Sequence, residues 1–283
     1  MKPIAEQTIL ITGATDGLGK ATALELAKLG ARVLIHGRDA KRLQTTQQEI
    51  ISASGNDKIE TYRANLAALA EVRHLAYMVQ ADHDQLDMLI NNAAAGGGKP
   101  GDPQRELSID GYELRFAVNY LAHFLLTHLL LPSLRKTPPS RIINISSAGQ
   151  YPINFDDVMM EKQYEPLDAY RQSKLAQIMF TIDLAEQVQD DGITVNALHP
   201  ASLMPTKMVK EYFGRTMDTL EDGVSSVIRL ATDPTLDDMT GKYFDHQRLT
   251  RANDQVYDEA ARRQLWELSM QLTDAEKIDY VWD

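Results

Sequence analysis

The residues Tyr170 and Lys174 stand four positions apart in the segment DAYRQSKLAQ, whose apolar spacing is typical of a helix. Residues i and i+4 share one face of a helix, so the Lys174 ammonium is expected to lie near the Tyr170 hydroxyl. A nearby positive charge favours the phenolate and lowers the pKa of a tyrosine below its ordinary value of about 10. The pair therefore predicts a tyrosine that exchanges a proton with a bound substrate, unless both side chains merely face solvent on an amphipathic helix.

A glycine-rich turn, TGATDGLGK, follows the first apolar run of the chain, TILIT. Glycines let the backbone bend sharply and approach a pyrophosphate, and the helix that follows presents unpaired N–H groups and the positive end of its dipole. The spacing G-x-x-x-G-x-G differs from the usual G-x-G-x-x-G, and an ordinary glycine-rich turn is the alternative. The predicted dinucleotide contacts in this turn are Gly13, Thr15, Asp16, Gly17, Leu18 and Gly19.

The end of the second apolar run, in VLIHGRDAKRL, indicates which dinucleotide would bind. An acidic residue at this point accepts bonds from the adenosine ribose, whereas an arginine accommodates a 2′-phosphate. Here Gly37 is followed by Arg38, and Lys41 and Arg42 lie one helical turn further on. The cluster favours NADP(H) over NAD(H), unless Arg38 is a surface residue paired with Asp39.

The elements that must position these residues alternate along the chain. Short runs rich in Val, Ile and Leu are separated by longer segments with helical spacing of apolar residues, and this order predicts βαβ units with parallel strands. We expect an α/β fold in which one doubly wound parallel sheet lies between two layers of helices, as a single domain. Ligands of such sheets bind beyond the carboxyl ends of the strands. The predicted strands are TILIT, RVLIHG, KIETYRA, LDMLINN, RIINIS and ITVNALHP.

Composition excludes several classes of function. The net charge of −11 over 283 residues argues against nucleic acid as the main partner. The absence of cysteine excludes disulfides, thiolate catalysis and Cys-ligated zinc, and no acidic pair has the neighbours of a metal site, so no metal is expected. The first residues lack the pattern of a signal peptide and no uninterrupted apolar run is long enough to span a bilayer. We therefore expect a cytoplasmic protein without a membrane span.

Five motifs together resemble the short-chain dehydrogenase/reductase family, in its order and spacing over nearly the whole chain. They are TGATDGLG, NNAA at 91–94, AVNYLAHF with Asn119, IINISSAG, and Tyr170-x-x-x-Lys174. The resemblance implies one Rossmann-fold domain, residues 1–283, that transfers a hydride between NADP(H) and a carbonyl or alcohol. It implies a catalytic set of Asn119, Ser147, Tyr170 and Lys174.

The resemblance also implies a role for each member of this set. Tyr170 is the general acid/base, and Ser147 binds the substrate oxygen, with Ser146 as the alternative. Lys174 also binds the nicotinamide ribose, and Asn119 holds a water in a proton relay. A binding protein that senses NADP(H) without turnover is the second hypothesis for the chain, although the complete catalytic set argues against it.

Further cofactor contacts follow from the resemblance, with departures from the family pattern. Asn65 replaces the usual aspartate near the adenine amine, Ala94 replaces a glycine, and Asp16 stands where NADP-preferring members often carry a basic residue. Ala201 replaces a glycine, and about one extra residue precedes Thr206. The positions implied are Asn65, Leu66, Asn92, Ala93, Ala94, Pro200, Thr206, Tyr170 and Lys174.

The C-terminal segment beginning TGKYFDHQRL is similar to the tails of retinol-dehydrogenase-like and WW-domain-oxidoreductase-like members. We predict a substrate loop at about 200–218, a C-terminal extension at about 246–283, and an apolar small-molecule substrate. The same apolar residues would suit a loop packed on its own core. The candidates are Tyr151, Ile153, Phe155, Leu203, Met204, Met208 and Phe213.

The long apolar helix around residues 112–135 and the Tyr170 helix carry more hydrophobic surface than a sheet needs. In the resembling family such helices often form dimer interfaces, so a homodimer or homotetramer is expected. His123 and His128 lie on this apolar helix, where packing is the favoured interpretation.

Overall fold

A single eight-stranded sheet forms the centre of the computed structural model, which describes residues 1–98, 104–206, 209–210 and 214–275. The spatial order of its strands is β3-β2-β1-β4-β5-β6-β7-β8. Strands β1 to β7 are parallel, and β8 pairs with β7 in the antiparallel sense. The bounds are β1 (Thr8–Ile11), β2 (Arg32–Gly37), β3 (Ile59–Arg63), β4 (Met88–Asn91), β5 (Ser140–Ile145), β6 (Ile193–His199), β7 (Lys242–Asp245) and β8 (Arg248–Leu249).

The main helices connect these strands and cover both faces of the sheet. Helices α3, α4, α5 and α7 contribute to the hydrophobic cluster on one face, and α1, α2 and α6 to the cluster on the other. The bounds are α1 (Gly17–Lys28), α2 (Ala40–Ser54), α3 (Leu69–Asp82), α4 (Leu114–Arg135), α5 (Pro166–Gln187), α6 (Leu220–Thr232) and α7 (Glu259–Leu272).

The central strands are apolar on both sides because both faces of the sheet are covered. In β1, Leu10 packs into one cluster while its neighbours Ile9 and Ile11 pack into the other, and all three are fully buried. A parallel sheet enclosed by helices requires such continuous apolar runs. The predicted doubly wound three-layer fold is confirmed.

The strands β7 and β8 were not among the predicted strands. Strand β7 has only two strongly apolar residues, Tyr243 and Phe244, so its local pattern is weak. It pairs with β6, where Phe244 stands opposite Leu198. This pairing extends the sheet and brings the end of β7 beside the end of β6.

Helix α4 is long and apolar enough to cross a membrane by length and composition alone, with a mean hydropathy of 1.3. However, 83% of its apolar window is buried inside the protein, which is the environment of a core helix. Residues Ala117–Leu121 form a π-helical turn within it. Such turns are often associated with functional sites, and this one carries Asn119.

Helix α7, in the C-terminal extension, covers the apolar surface of α4 and α5. The Trp266 ring packs edge-on against Phe124 of α4 at 5.2 Å between centroids, and lies 5.9 Å from Phe180 of α5. His128 also packs in this aromatic group, as predicted. The surface on which the homodimer or homotetramer was predicted is therefore covered within the chain, and self-association stays a prediction without support from these helices.

Replacing Phe124 with alanine is expected to lower the free energy of unfolding by about 3–5 kcal/mol, because its ring is fully buried among Tyr120, Phe180 and Trp266. Urea unfolding followed by circular dichroism measures this loss. Tyr77→Ala is the control, since the Tyr77 side chain is 66% exposed and should contribute little. Equal effects of the two changes would contradict this assignment of the core.

Candidate active site

Helix α5 positions the Tyr170 and Lys174 side chains. The helix begins after Glu165, whose carboxylate accepts a hydrogen bond from the Leu167 N–H at 3.4 Å, and Pro166 occupies its first turn, where a missing N–H costs nothing. Tyr170 and Lys174 follow one turn apart, and the Lys174 Nζ lies 5.8 Å from the centre of the Tyr170 ring. The two side chains are therefore neighbours, and the contact of the ammonium with the Tyr170 hydroxyl stays a prediction.

Lys174 is almost completely buried, at 2% exposure. Its Nζ donates to the Ile145 carbonyl oxygen at the end of β5, at 2.8 Å, and to the Gln177 side-chain oxygen at 2.9 Å. Burial disfavours the charged form and lowers the pKa of Lys174 to about 7. The side chain is therefore held at the carboxyl end of the sheet by two oxygen acceptors, and it gives up its proton more easily than an exposed lysine.

The acidity predicted for Tyr170 is not found in the ligand-free protein. Burial raises the pKa of its hydroxyl, and a hydrogen bond with the Ser147 side chain lowers it by a smaller amount. Lys174 does not reverse the effect, because burial removes much of its own charge at neutral pH. The expectation that the neighbouring Lys174 lowers the pKa of Tyr170 is therefore wrong, because burial raises it and keeps the hydroxyl protonated as a proton donor.

The two serines that follow β5 have different partners. Ser147 is half-buried, and its hydroxyl bonds the Tyr170 side chain and accepts the Gly149 N–H at 3.0 Å. Ser146 is buried, and its hydroxyl donates to the Lys174 carbonyl oxygen within helix α5 at 2.7 Å. Ser147 therefore lies beside the tyrosine, and the alternative residue Ser146 anchors the helix to the strand.

Asn119 connects the π-helical turn of α4 to the rest of the site. Its side chain accepts the Ala95 N–H at 2.7 Å and donates to the Ala95 carbonyl oxygen at 3.1 Å and to Ser173 Oγ at 2.9 Å. The Ser173 hydroxyl in turn donates to the Tyr170 carbonyl oxygen at 2.7 Å. Both side-chain N–H groups of Asn119 already donate to these two oxygens, so Asn119 can bind a water only through an oxygen atom. Its predicted role in holding a water of a proton relay stays a prediction.

A buried polar network, missed in the sequence, joins Lys174 to the glycine-rich turn. The Gln177 side-chain nitrogen lies 3.2 Å from His123 Nδ1, and His123 Nε2 lies 3.1 Å from the Thr12 hydroxyl. Thr12 accepts the N–H groups of Asn92 and Ala93 at 2.9 and 3.0 Å. The predicted packing role of His123 is incomplete, because both of its ring nitrogens have polar neighbours.

Burial keeps the His123 imidazole neutral. Burial, and to a smaller extent the nearby charge of Lys174, lower its pKa to about 3. The tautomer decides the partner of Nδ1: a protonated Nδ1 donates to the Asn119 carbonyl oxygen 3.0 Å away, whereas a bare Nδ1 accepts from the Gln177 amide 3.2 Å away. The network thereby fixes the distance between helix α4, β1 and the catalytic helix.

The glycine-rich turn between β1 and α1 is shaped by close backbone contacts. Gly13 has φ +67°, and a Cβ there would lie 2.7 Å from Ala93 Cα. A Cβ on Gly19 would lie 2.4 Å from both the Gly13 carbonyl oxygen and the Asn92 side chain. These positions therefore admit only glycine, and they bring the N-terminus of α1 to the carboxyl end of the sheet.

His36 on β2 also fixes this turn and was missed in the sequence. Its Nδ1 lies 3.2 Å from the Gly13 N–H, and its Nε2 lies 3.0 Å from the Ala64 carbonyl oxygen. Burial lowers the pKa of His36 to about 4, so the ring is neutral and accepts at Nδ1 while donating at Nε2. The histidine in the strand RVLIHG, directly before Gly37, is the signal that could have indicated it.

Arg38 is exposed beyond the end of β2, and its side chain has no hydrogen bond or ion pair to any described residue. The pairing with Asp39 considered from the sequence is absent, because Asp39 caps helix α2 by accepting the Arg42 N–H at 2.9 Å. Arg42 instead pairs with Asp16 at 2.9 Å, which offsets the acidic residue in the glycine-rich turn. Arg38 is thus available to a ligand.

Some residues predicted to contact the adenosine part of the cofactor already make hydrogen bonds within the chain. The Asn65 side-chain oxygen accepts the Ala67 N–H at 3.1 Å, and Leu66 is buried beside it. The Asn92 amide donates to the Thr12 carbonyl oxygen at 2.8 Å, so it stabilises the glycine-rich turn. Ala94 is half-buried in the segment that follows β4.

The segment after β6 reaches the glycine-rich turn at Thr206, whose contact with a cofactor stays a prediction. The Thr206 methyl group would be 3.2 Å from a Cβ on Gly17, so the two residues are neighbours. Pro200 is buried at the start of this segment, and Leu203 has the left-handed value φ +46°. The altered sequence PASLMPT therefore still brings Thr206 against the predicted pyrophosphate site.

The candidate pocket residues separate into two groups. Ile153 is buried in the core, and Phe155 and Met204 pack against the two hydrophobic clusters, as in the alternative of a loop packed on its own core. Tyr151 is 44% exposed, and Leu203 is half-buried in the loop that contains Thr206. Met208 and Phe213 lie outside the described residues.

Comparison with known proteins agrees with this geometry. The family model described as short chain dehydrogenase matches residues 7–216. Mouse (Mus musculus) retinol dehydrogenase 13 is 36% identical over 286 residues, covering 95% of this chain and 84% of the relative. The Pseudomonas aeruginosa RhlG/NADP active-site complex has a TM-score of 0.69 at 28% identity, covering 87% of this chain and 97% of that one.

A crystal structure of a protein from Mycobacterium paratuberculosis is similar over more of the fold. Its TM-score is 0.79 at 29% identity, and the match covers 96% of this chain and 94% of that one. The similarity therefore extends beyond the glycine-rich turn and the tyrosine helix into the C-terminal elements β7, β8 and α7. The chain belongs to the short-chain dehydrogenase family of oxidoreductases and is similar to its retinol dehydrogenases.

Proposed function

We propose that the protein is an NADP(H)-dependent oxidoreductase that interconverts an apolar carbonyl compound and its alcohol, with Tyr170 as general acid/base. One observation carries the proposal: the Tyr170 hydroxyl, the Ser147 hydroxyl and the Lys174 ammonium meet at the carboxyl end of β5. The glycine-rich turn that follows β1 lies at the same edge of the sheet, which is where doubly wound folds bind dinucleotides.

The residues present fit a nicotinamide dinucleotide. The turn at Gly13 and Gly19 leaves no room for side chains, and the start of helix α1 offers N–H groups to a pyrophosphate. Thr206 lies against Gly17 on the other side of that position. Arg38, without a partner among the described residues, would bind the 2′-phosphate.

The chemistry supplied by a bound nicotinamide is hydride transfer to or from the substrate carbon. Ser147 donates a hydrogen bond to the substrate oxygen and Tyr170 transfers its proton to it, which neutralises the negative charge that develops there. The raised pKa of Tyr170 keeps it protonated at neutral pH, as reduction of a carbonyl requires. In the reverse direction Tyr170 must lose that proton, and a charged Lys174 would favour the phenolate.

The apolar substrate is inferred from the related retinol dehydrogenases and from the partly exposed Tyr151 and Leu203 beside the site. A panel of aliphatic, aromatic and isoprenoid aldehydes and ketones tests it, with oxidation of NADPH followed by absorbance. We expect the highest kcat/KM for long apolar aldehydes. Better efficiency with small, strongly polar carbonyls would contradict this part of the proposal.

Replacing Arg38 with alanine is expected to weaken NADPH binding by roughly 10- to 100-fold, since one charge-assisted contact to phosphate is worth about 1.5–3 kcal/mol. NADH binding should change little, because NADH lacks the 2′-phosphate. Fluorescence titration with both cofactors measures the two affinities. Arg251→Ala is the control, since Arg251 is exposed, pairs with Asp254, and is far from Arg38 in the sequence. An equal loss for NADH and NADPH would contradict the assigned preference.

A further inference from the structure

Three metal-ligating side chains converge where strands β6 and β7 end. His199 is the last residue of β6, Asp245 is the last residue of β7, and His246 follows directly. One ligand atom from each lies within 4.8 Å of the other two. The His199 and His246 rings meet edge to face at 5.4 Å between centroids.

Each histidine has an oxygen partner that can orient its ring. The His246 Nε2 lies 2.8 Å from an Asp218 carboxylate oxygen, and the His199 Nε2 lies 3.1 Å from the Ser202 hydroxyl. Metal-binding histidines usually donate the second ring N–H to such an oxygen, which fixes the ring and its tautomer. The Nδ1 atoms are then the candidate metal ligands, and the Asp245 carboxylate already lies 2.8 Å from Nδ1 of His246.

The tight turn between β7 and β8 places His246 beside His199. The φ of His246 is +54°, in the left-handed region that favours glycine, and its N–H donates to the His199 carbonyl oxygen at 2.7 Å. A side chain held in this conformation costs free energy unless its contacts compensate.

The charge and access of the cluster suit a divalent cation. With neutral histidines, the two carboxylates of Asp218 and Asp245 give a local charge that such an ion would balance. The His246 side chain is 38% exposed, which leaves the cluster open to solvent.

We propose that His199, Asp245 and His246 form a binding site for a transition-metal dication such as Zn²⁺, with Asp218 orienting His246. Two imidazole nitrogens and one carboxylate oxygen are a ligand set that Zn²⁺ accepts, with a fourth position for water. Since Asp218 also accepts the Ser202 N–H at 2.5 Å, the site would join both ends of the segment after β6 to β7. The sequence predicted no metal because these ligands come from distant parts of the chain.

Isothermal titration of the cofactor-free protein with ZnCl₂ tests the site. We expect one equivalent to bind to the wild type, and His246→Gly to abolish that binding. The glycine variant suits the left-handed backbone, so its fold should persist, which circular dichroism checks. Asp218→Asn is expected to weaken binding by about 10- to 100-fold, as for other residues that orient a ligand.

His83→Gln is the matched control, because His83 also lies against a carboxylate, Glu60, at 2.9 Å, but away from this cluster. It should bind zinc as the wild type does. Failure of the wild type to bind one equivalent, or unchanged binding by the folded His246→Gly variant, would overturn the proposal. A loss of binding in His83→Gln would also overturn it by locating the ion elsewhere. No substrate or nicotinamide is present, so the outcome is independent of the proposed oxidoreductase activity.

Discussion

Replacing Tyr170 with phenylalanine is expected to lower kcat for carbonyl reduction by about 10²- to 10⁴-fold, the usual contribution of a positioned general acid. The change removes only the hydroxyl that bonds Ser147, while the ring and its packing in helix α5 remain. The glycine-rich turn and Arg38 are untouched, so NADPH should bind to the variant with nearly wild-type affinity.

Steady-state reduction of an apolar aldehyde and NADPH fluorescence titration measure the two quantities on the same preparation. Tyr77→Phe is the control, since Tyr77 is exposed on helix α3 and should leave both unchanged. Retention of wild-type turnover by Tyr170→Phe would contradict the assigned acid. A wild type that binds NADPH but reduces no carbonyl would instead support the sensor hypothesis.

Replacing Lys174 with methionine is expected to abolish measurable turnover while making folding stability less dependent on pH. Burial lowers the pKa of Lys174 to about 7, whereas an unfolded chain holds that proton to pH 10.5. Between these values the unfolded state binds more protons, so the stability of the wild type rises with pH. Burial of the charged lysine lowers the free energy of unfolding by its full amount below about pH 7. This loss disappears above pH 10.5, where the lysine is neutral in the unfolded chain as well.

The expected difference is large enough to measure by urea unfolding. From about pH 6 to about pH 9 the wild type should gain roughly 2–3 kcal/mol of unfolding free energy relative to Lys174→Met. Loss of the hydrogen bonds to the Ile145 and Gln177 oxygens changes the unfolding free energy of the variant by an amount that does not depend on pH in this range. Parallel stability curves for the two proteins would show that Lys174 keeps its ordinary pKa.

The arrangement of the sheet was predictable because its signals are local. Each central strand, such as TILIT or RVLIHG, has a continuous apolar run at its centre, and each connecting helix has its own periodicity. The motif residues were predictable for a related reason: the spacing of Tyr170 and Lys174 fixes their relation on one helix face. Strand β7 was missed because KYFD becomes a strand through pairing with β6 rather than through its own pattern.

The electrostatics of the site were not predictable from spacing. The sign of the Tyr170 pKa shift depends on burial by the whole fold, which outweighs the opposite effect of Ser147. The contacts of His123 with Thr12 and Gln177 join residues more than fifty positions apart, and an apolar helix gave no indication of them. Likewise, only the folded chain shows that Trp266 covers the helices from which an oligomer had been predicted.

The most direct test of the proposed activity is transfer of deuterium from NADPH labelled at nicotinamide C4 to an apolar aldehyde, with mass spectrometry of the alcohol formed. The wild type is expected to place the label on the carbinol carbon, and Tyr170→Phe to form almost none of this product while still binding NADPH. If the wild type binds NADPH but forms no labelled alcohol from any aldehyde of the panel, the proposed oxidoreductase activity is contradicted.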